Sequence, residues 1–356
     1  MSNNILLCSN CFKDHGLSLQ AASIGEIMEG ICPNCKSSTG NKFDRDAAEE
    51  IAYSFFVAGT KHKTDYGEAP VIQFNTLREN SVYANEDLTH DMDLISEKIG
   101  IGFFLYEPRL WMIGRIEPLL ELKSKKTRRK IIQQLFEKYP KKILTNADII
   151  YRTRINPKRP NDPAEYDSPP IVKKRGRFNT RSFPALYASQ DLETCIHECR
   201  MTIEDIIYFA SLVPNRELML LDLSISLEED CTEFESLDLA VHMLFLAGKH
   251  SYPITQDLAL DAKEHGFDGI IYPSYFTCLR TGSEPVATVS GLSVRRFPQM
   301  KDILNKNVIR NIAFFGHPIK EDKLFIKGIN RLILTHAKYQ YNIGPQDVYR
   351  QGWCAY

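Results

Sequence analysis

Two cysteine pairs constrain the front of this chain more tightly than any other feature in it. Cys8-x-x-Cys11 and Cys32-x-x-Cys35 are separated by twenty residues. Each pair makes a knuckle, and two knuckles present four thiolates, the tetrahedral soft-ligand set that zinc prefers. A shell of four protein ligands leaves no open position for chemistry. The expectation is therefore a structural Zn2+ held by Cys8, Cys11, Cys32 and Cys35; the alternative is two reduced pairs without metal. The chain has 9 cysteines, an odd number. That and the CxxC spacing favour metal binding in a reducing compartment over a disulfide framework.

A length of 356 residues exceeds the usual size of one core, so more than one domain is expected. The formal net charge of −1 gives no overall basic excess for nucleic acid and no acidic excess for disorder. The apolar run from Leu237 to Gly248 is broken by Asp238 and His242 and is too short to span a bilayer. The amino-terminus lacks a basic segment followed by an apolar one, so no signal peptide is expected. A cytoplasmic protein with no membrane partner follows as the expectation.

The division expected along the chain is 1–42 as a zinc ribbon, 43–142 as a helical domain and 147–356 as a mixed domain, with a junction at Pro140–Asn146. In the middle segment, Asp44 leads into an apolar stripe, and Asp91–Gly100 and Lys130–Tyr139 are further helix candidates. Thr60–Ala69 is polar and reads as loop. The cationic run from Lys123 to Lys130 reads as a solvated helix face; its sharper alternative is a phosphate-backbone contact, which makes nucleic acid a candidate partner of the amino-terminal half.

The last segment holds the candidate chemistry. Ile149–Ile155 is β-branched and reads as a strand that delivers an arginine. Asn156–Pro170 reads as a long loop. Ala185–Ala188 is short, apolar and bounded by turn formers, so it reads as a buried strand carrying Tyr187. Ser189 or Asp191 then caps a helix on which Thr194 and Glu198 share a face. Glu217–Ser224, Ile270–Ser274, Asn311–Phe315 and Leu324–Ile333 are further strands, and Leu237–Lys249 a helix. Thr255 is the expected cap of a helix that starts near Tyr252. Strands and helices mix without strict alternation, so the class is α+β. No Gly-rich dinucleotide-binding loop is present, so a nucleotide would be a substrate in a cleft, not a redox cofactor.

The ordered set Tyr-Arg at 151–152, Gly-Arg-Phe-Asn at 176–179, Pro-x-Leu-Tyr at 184–187, Glu-Thr-x-x-x-Glu at 193–198, Thr-Gln-x-Leu-Ala at 255–259 and Gly-x-Asp-Gly-Ile-x-Tyr-Pro-Ser at 266–274 resembles the RES domain. The resemblance spans roughly Ala147 to Tyr339. It implies a mixed-sheet core like that of ADP-ribosyltransferases, preceded by a zinc ribbon and a helical extension. It also implies an enzyme that consumes NAD as substrate, by hydrolysis, phosphorolysis or ADP-ribosyl transfer, and that acts as a bacterial toxin or defence effector restrained by an antitoxin or trigger protein. Carried over residue by residue, it implies Arg152, Arg177, Tyr187, Glu198 and Ser274 as catalytic residues, and Arg154, Asn179, Gln256 and Tyr272 as substrate-binding ones. Arg152 and Arg154 flank Thr153 and are not distinguished by sequence.

Overall fold

The computed structural model describes residues 5–169, 175–277, 287–289 and 291–346. The chain divides into two compact units. The first takes residues 1–64, 68–109 and 339–356, and the second takes 65–67 and 110–338.

In the first unit, strands β1 (Leu7–Cys8) and β2 (Lys42–Phe43) pair antiparallel and bring the two cysteine knuckles together. Helices α1 (His15–Ile24), α2 (Arg45–Ala52) and α3 (Glu86–Ile99) pack around Phe55, Phe56 and Phe103. Each helix starts where a side chain satisfies an open N–H: Asp14 accepts from Leu17, Asp44 from Ala47 and Asn85 from Leu88. Thr60–Ala69, expected as loop, contains the two-residue strands β3 (His62–Lys63) and β4 (Glu68–Ala69). Strands β5 (Ile72–Asn75) and β6 (Gly102–Leu105) form another antiparallel pair.

The second unit is an α+β fold around one eight-stranded sheet. Its strands are β7 (Lys141–Leu144), β8 (Ile150–Ile155), β9 (Ala185–Ser189), β10 (Ile207–Pro214), β11 (Leu218–Asp222), β12 (Gly269–Pro273), β15 (Arg310–Phe315) and β16 (Leu324–Leu332). A small separate hairpin supplies β13 (Thr288–Val289) and β14 (Leu292–Ser293). The order across the sheet is β16-β10-β8-β9-β15-β12-β11-β7, and only β11 and β12 run parallel. Leu186, Leu212, Leu220, Ile271, Ile312 and Phe314 form its core. Each such side chain contributes about 1.5–3 kcal/mol when fully buried.

Two expectations change here. Pro140–Asn146 is not a junction: Lys141–Leu144 is the edge strand β7, paired with β11. Its lysines face water at the sheet margin, where charge discourages pairing with another chain. Helices α4 (Glu117–Lys123) and α5 (Arg128–Lys138), assigned by sequence to the middle segment, lie in the unit of the sheet. Arg128, inside the cationic run, is buried; it bonds the Leu122 carbonyl at 2.7 Å and pairs with Asp257 at 2.6 Å. It pins α5 to α8 (Tyr252–Glu264), so the run is not a uniformly solvated face.

Candidate active site

The site is assembled on the strands β8, β9, β12 and β15 and on the helix α6 (Leu192–Cys199). Asp191 caps that helix, accepting from the Thr194 amide at 2.7 Å. The helix stops at Arg200, whose φ of 52° cannot continue it. Glu198 therefore stands in the last turn, exposed at the rim of a cleft. Its Oε1 accepts from the Ser274 hydroxyl at 2.8 Å and from the Asn311 amide. Ser274 follows β12 and Asn311 is the second residue of β15, beside Tyr272 in the register. A carboxylate on a helix end is thus fixed by two donors from neighbouring strands.

The cleft holds a cavity of 340 Å³ lined by Arg152, Arg177, Tyr187, Glu198, Tyr272 and Asn311, with Cys195 and Cys199 on the helix side. Arg152 lies in the middle of β8 and donates to the Tyr187 carbonyl at 2.6 Å. Its Nε is buried without a hydrogen-bond partner among the described residues. An unpaired buried donor costs about 1–3 kcal/mol, more when charged, so it marks a place where an acceptor belongs. Burial pushes the Arg152 guanidinium below its ordinary pKa, opposed by the nearby Cys199 and Cys195 thiols and by the Tyr187 and Tyr272 phenols.

Arg177 reaches the cavity from the 176–179 loop. It donates to the carbonyls of Leu244 at 3.3 Å and Ala247 at 3.2 Å, at the end of helix α7 (Leu237–Leu246). Its guanidinium carbon lies 5.6 Å from the Phe245 ring centre and 5.4 Å from that of Tyr252. Such contacts hold a planar cation while leaving N–H groups for a ligand.

The remaining expected residues hold this loop in place. The Tyr187 hydroxyl donates to Asn179 Oδ1 and accepts from the Phe178 amide, each at 2.8 Å. Burial pushes the Tyr187 phenol up to about 12, so it stays a neutral donor. Gln256 donates to the carbonyls of Gly176 at 2.8 Å and Asn179 at 3.2 Å. Thr255, expected as a helix cap, sits inside α8 and donates to the Arg177 carbonyl. Gly176 has no alternative here: a Cβ would come within 2.2 Å of Asn179 Oδ1 and 2.9 Å of the Tyr187 hydroxyl. Tyr272 is buried against Phe178 and Phe245; burial, and then the Glu198 carboxylate, push its phenol well above the ordinary value.

Of the two arginines left open by sequence, Arg152 lines the cavity. Arg154 instead donates to the carbonyls of Glu165 and Asp167 and ties down the 156–169 loop. Asn311 was not anticipated. Its signal was an amide just after Arg310, ahead of the apolar run 312–315, and its position beside Glu198 depends on strand pairing far from it in sequence. The cavity also takes Phe245 and Tyr252 from helices read by sequence only as helices.

The four cysteines form a second cluster. Their Sγ atoms all lie within 4.8 Å of one another, with Cys8–Cys35 and Cys11–Cys32 at 3.5 Å and Cys8–Cys11 at 3.9 Å. Four sulfurs at 2.3 Å from one zinc ion would stand about 3.8 Å apart. The donor set fits a metal ion. Among the described residues no helix is long and apolar enough to cross a membrane.

Residues 149–282 match the RES domain family. No curated protein matches. Among solved structures, a chain of the crystal structure of the M. tuberculosis MbcT–MbcA toxin–antitoxin complex is similar at 12% identity and a TM-score of 0.33, covering 57% of this chain and 91% of that one.

Proposed function

We propose, from the premise that the chain carries a RES domain at residues 149–282, that it cleaves the nicotinamide–ribose bond of NAD. The observation that carries this reading is Glu198, whose Oε1 is held by Ser274 and Asn311 at the rim of a cavity that two arginines also line. Breaking the bond builds positive charge on the ribose, as in glycoside hydrolysis. A carboxylate fixed beforehand stabilises that charge without reorganising, and removing such a group costs about 3–4 kcal/mol of barrier.

Arg152 and Arg177 bind the diphosphate, for which a planar guanidinium is suited. The unpaired Arg152 Nε receives a phosphoryl oxygen as its missing acceptor. Tyr187, Asn179 and Gln256 act by positioning, since their polar groups are engaged in the 176–179 loop. Tyr272 is a wall for the sugar or base. Ser274 donates a hydrogen bond to Glu198, so it orients the carboxylate and is not read as a nucleophile. Water, phosphate or a protein side chain would accept the ADP-ribose.

The cysteine cluster would hold structural Zn2+ through Cys8, Cys11, Cys32 and Cys35, fixing the two knuckles. An NAD-degrading enzyme endangers its host, so a toxin restrained by an antitoxin is the matching biological role. Incubating the purified protein with NAD, with and without phosphate, tests the reading. Nicotinamide should accumulate, with ADP-ribose or its 1″-phosphate as the second product; unchanged NAD would contradict it.

A further inference from the structure

The first unit lies outside the span matched by the RES family, and its charge is unlike that of the whole chain. It carries sixteen acidic residues against ten basic ones, whereas the complete chain has a formal net charge of −1. A surface of that sign repels a phosphate backbone and attracts a cationic partner.

The same unit holds a cavity of 260 Å³, bounded by the end of α1, by β2 and by the start of α2. Ile24, Phe43 and Ala47 belong to its apolar lining, and its polar side chains are Glu26, Lys42 and Asp44. The two acids are exposed. The backbone of Glu26 is fixed to Lys42 by bonds of 2.9 and 2.8 Å, and its carboxylate makes no hydrogen bond or ion pair among the described residues. Asp44 Oδ1 caps α2, accepting from the Ala47 amide at 3.0 Å. Lys42 is only 2% exposed, and its ammonium donates to the Ser38 and Gly40 carbonyls, each at 3.1 Å. The one cation at the cavity is thus already engaged, while an acid at its rim is not.

We propose that this cavity docks a cationic side chain with an aliphatic stem, from a basic segment of a protein partner. The stem lies along Ile24, Phe43 and Ala47, and the charged head pairs with Glu26 and Asp44. Asp46, Glu49 and Glu50, exposed on α2, attract the flanking cations of the same segment. The proposal does not rest on the NAD reading and gives the first unit a recognition role of its own.

Calorimetry on the full-length protein at low salt tests this, with hexalysine as the probe. The control is the hexamer of 2,4-diaminobutyric acid, with the same number of amines on stems two methylenes shorter. Hexalysine should bind, and the control should bind about tenfold more weakly, because two methylenes leave the apolar lining. Glu26→Gln should weaken hexalysine about tenfold, through loss of a charged partner. Ala47→Phe, which fills the cavity, should remove the preference for the longer stem, with the thermal midpoint checking that each variant folds. Glu26 is exposed and caps no helix, so its variant tests the site even where Ala47→Phe fails to fold. Absent binding by wild type overturns the site. Equal affinity for the two hexamers, or equal hexalysine affinity of wild type and Glu26→Gln, also overturns it, since net charge alone then explains the attraction.

Discussion

The cysteine cluster and the Glu198 cleft are built in opposite ways. The cluster takes four cysteine side chains from two knuckles, and one short strand pair closes it. The cleft takes unlike groups from residues 152, 177, 198, 274 and 311, and no two of them are sequence neighbours. In the proposed zinc site the geometry would follow from ligand chemistry: four thiolates at these spacings have one good arrangement. The cleft's geometry follows from strand order, which puts β9, β15 and β12 side by side although long stretches of chain separate them. A closed shell of four ligands would stabilise a fold, whereas an arginine with an unpaired buried donor and a carboxylate at a rim are groups able to meet a substrate.

Three substitutions probe this contrast, in decreasing order of expected effect. Cys8→Ser should take bound zinc from one per chain to none by elemental analysis. Amide protection should collapse in the first unit and persist in the eight-stranded sheet, because metal binding and folding are one process in such modules. Equal loss in both units would erase the distinction. Arg152→Met should weaken NAD binding about 10–100-fold by calorimetry, since hydrogen bonds to charged groups contribute about 1.5–3 kcal/mol. Unchanged binding would remove Arg152 from the diphosphate site.

Tyr187→Phe should cost about 1 kcal/mol of stability in denaturant titrations at neutral pH. Because the folded-state value is raised from 10 to about 12, the hydroxyl's contribution is complete below pH 10 and is lost as pH rises toward 12. The wild type should therefore lose stability relative to the Phe variant across that interval. A gap that stays constant with pH would show that the phenol's bonds carry no such linkage.

The sequence made local structure legible wherever a short-range rule governs it. Turn formers around a short apolar run marked the strand at Ala185–Ala188, Ser189 and Asp191 were the two candidate caps of α6, of which Asp191 makes the bond, and apolar β-branched runs marked β8 and β12. Local reading failed where a distant partner decides the outcome. Lys141–Leu144 looked like a linker because its pairing partner β11 is more than seventy residues away. Arg128 looked like one charge in a run because Asp257 is not visible from its neighbourhood. Arg152 and Arg154 were equivalent as letters; the loop carbonyls of Glu165 and Asp167 separate them. Asn311 went unseen for the same reason: only the β12–β15 register gives that amide its carboxylate.

The most direct measurement is nicotinamide release from NAD by wild type and by Glu198→Gln, which keeps size and shape but removes the negative charge. The account predicts steady release by wild type and a drop of about 100–1000-fold in the variant, with binding of NAD retained. Equal release by the two proteins would contradict a carboxylate that meets the developing ribosyl cation.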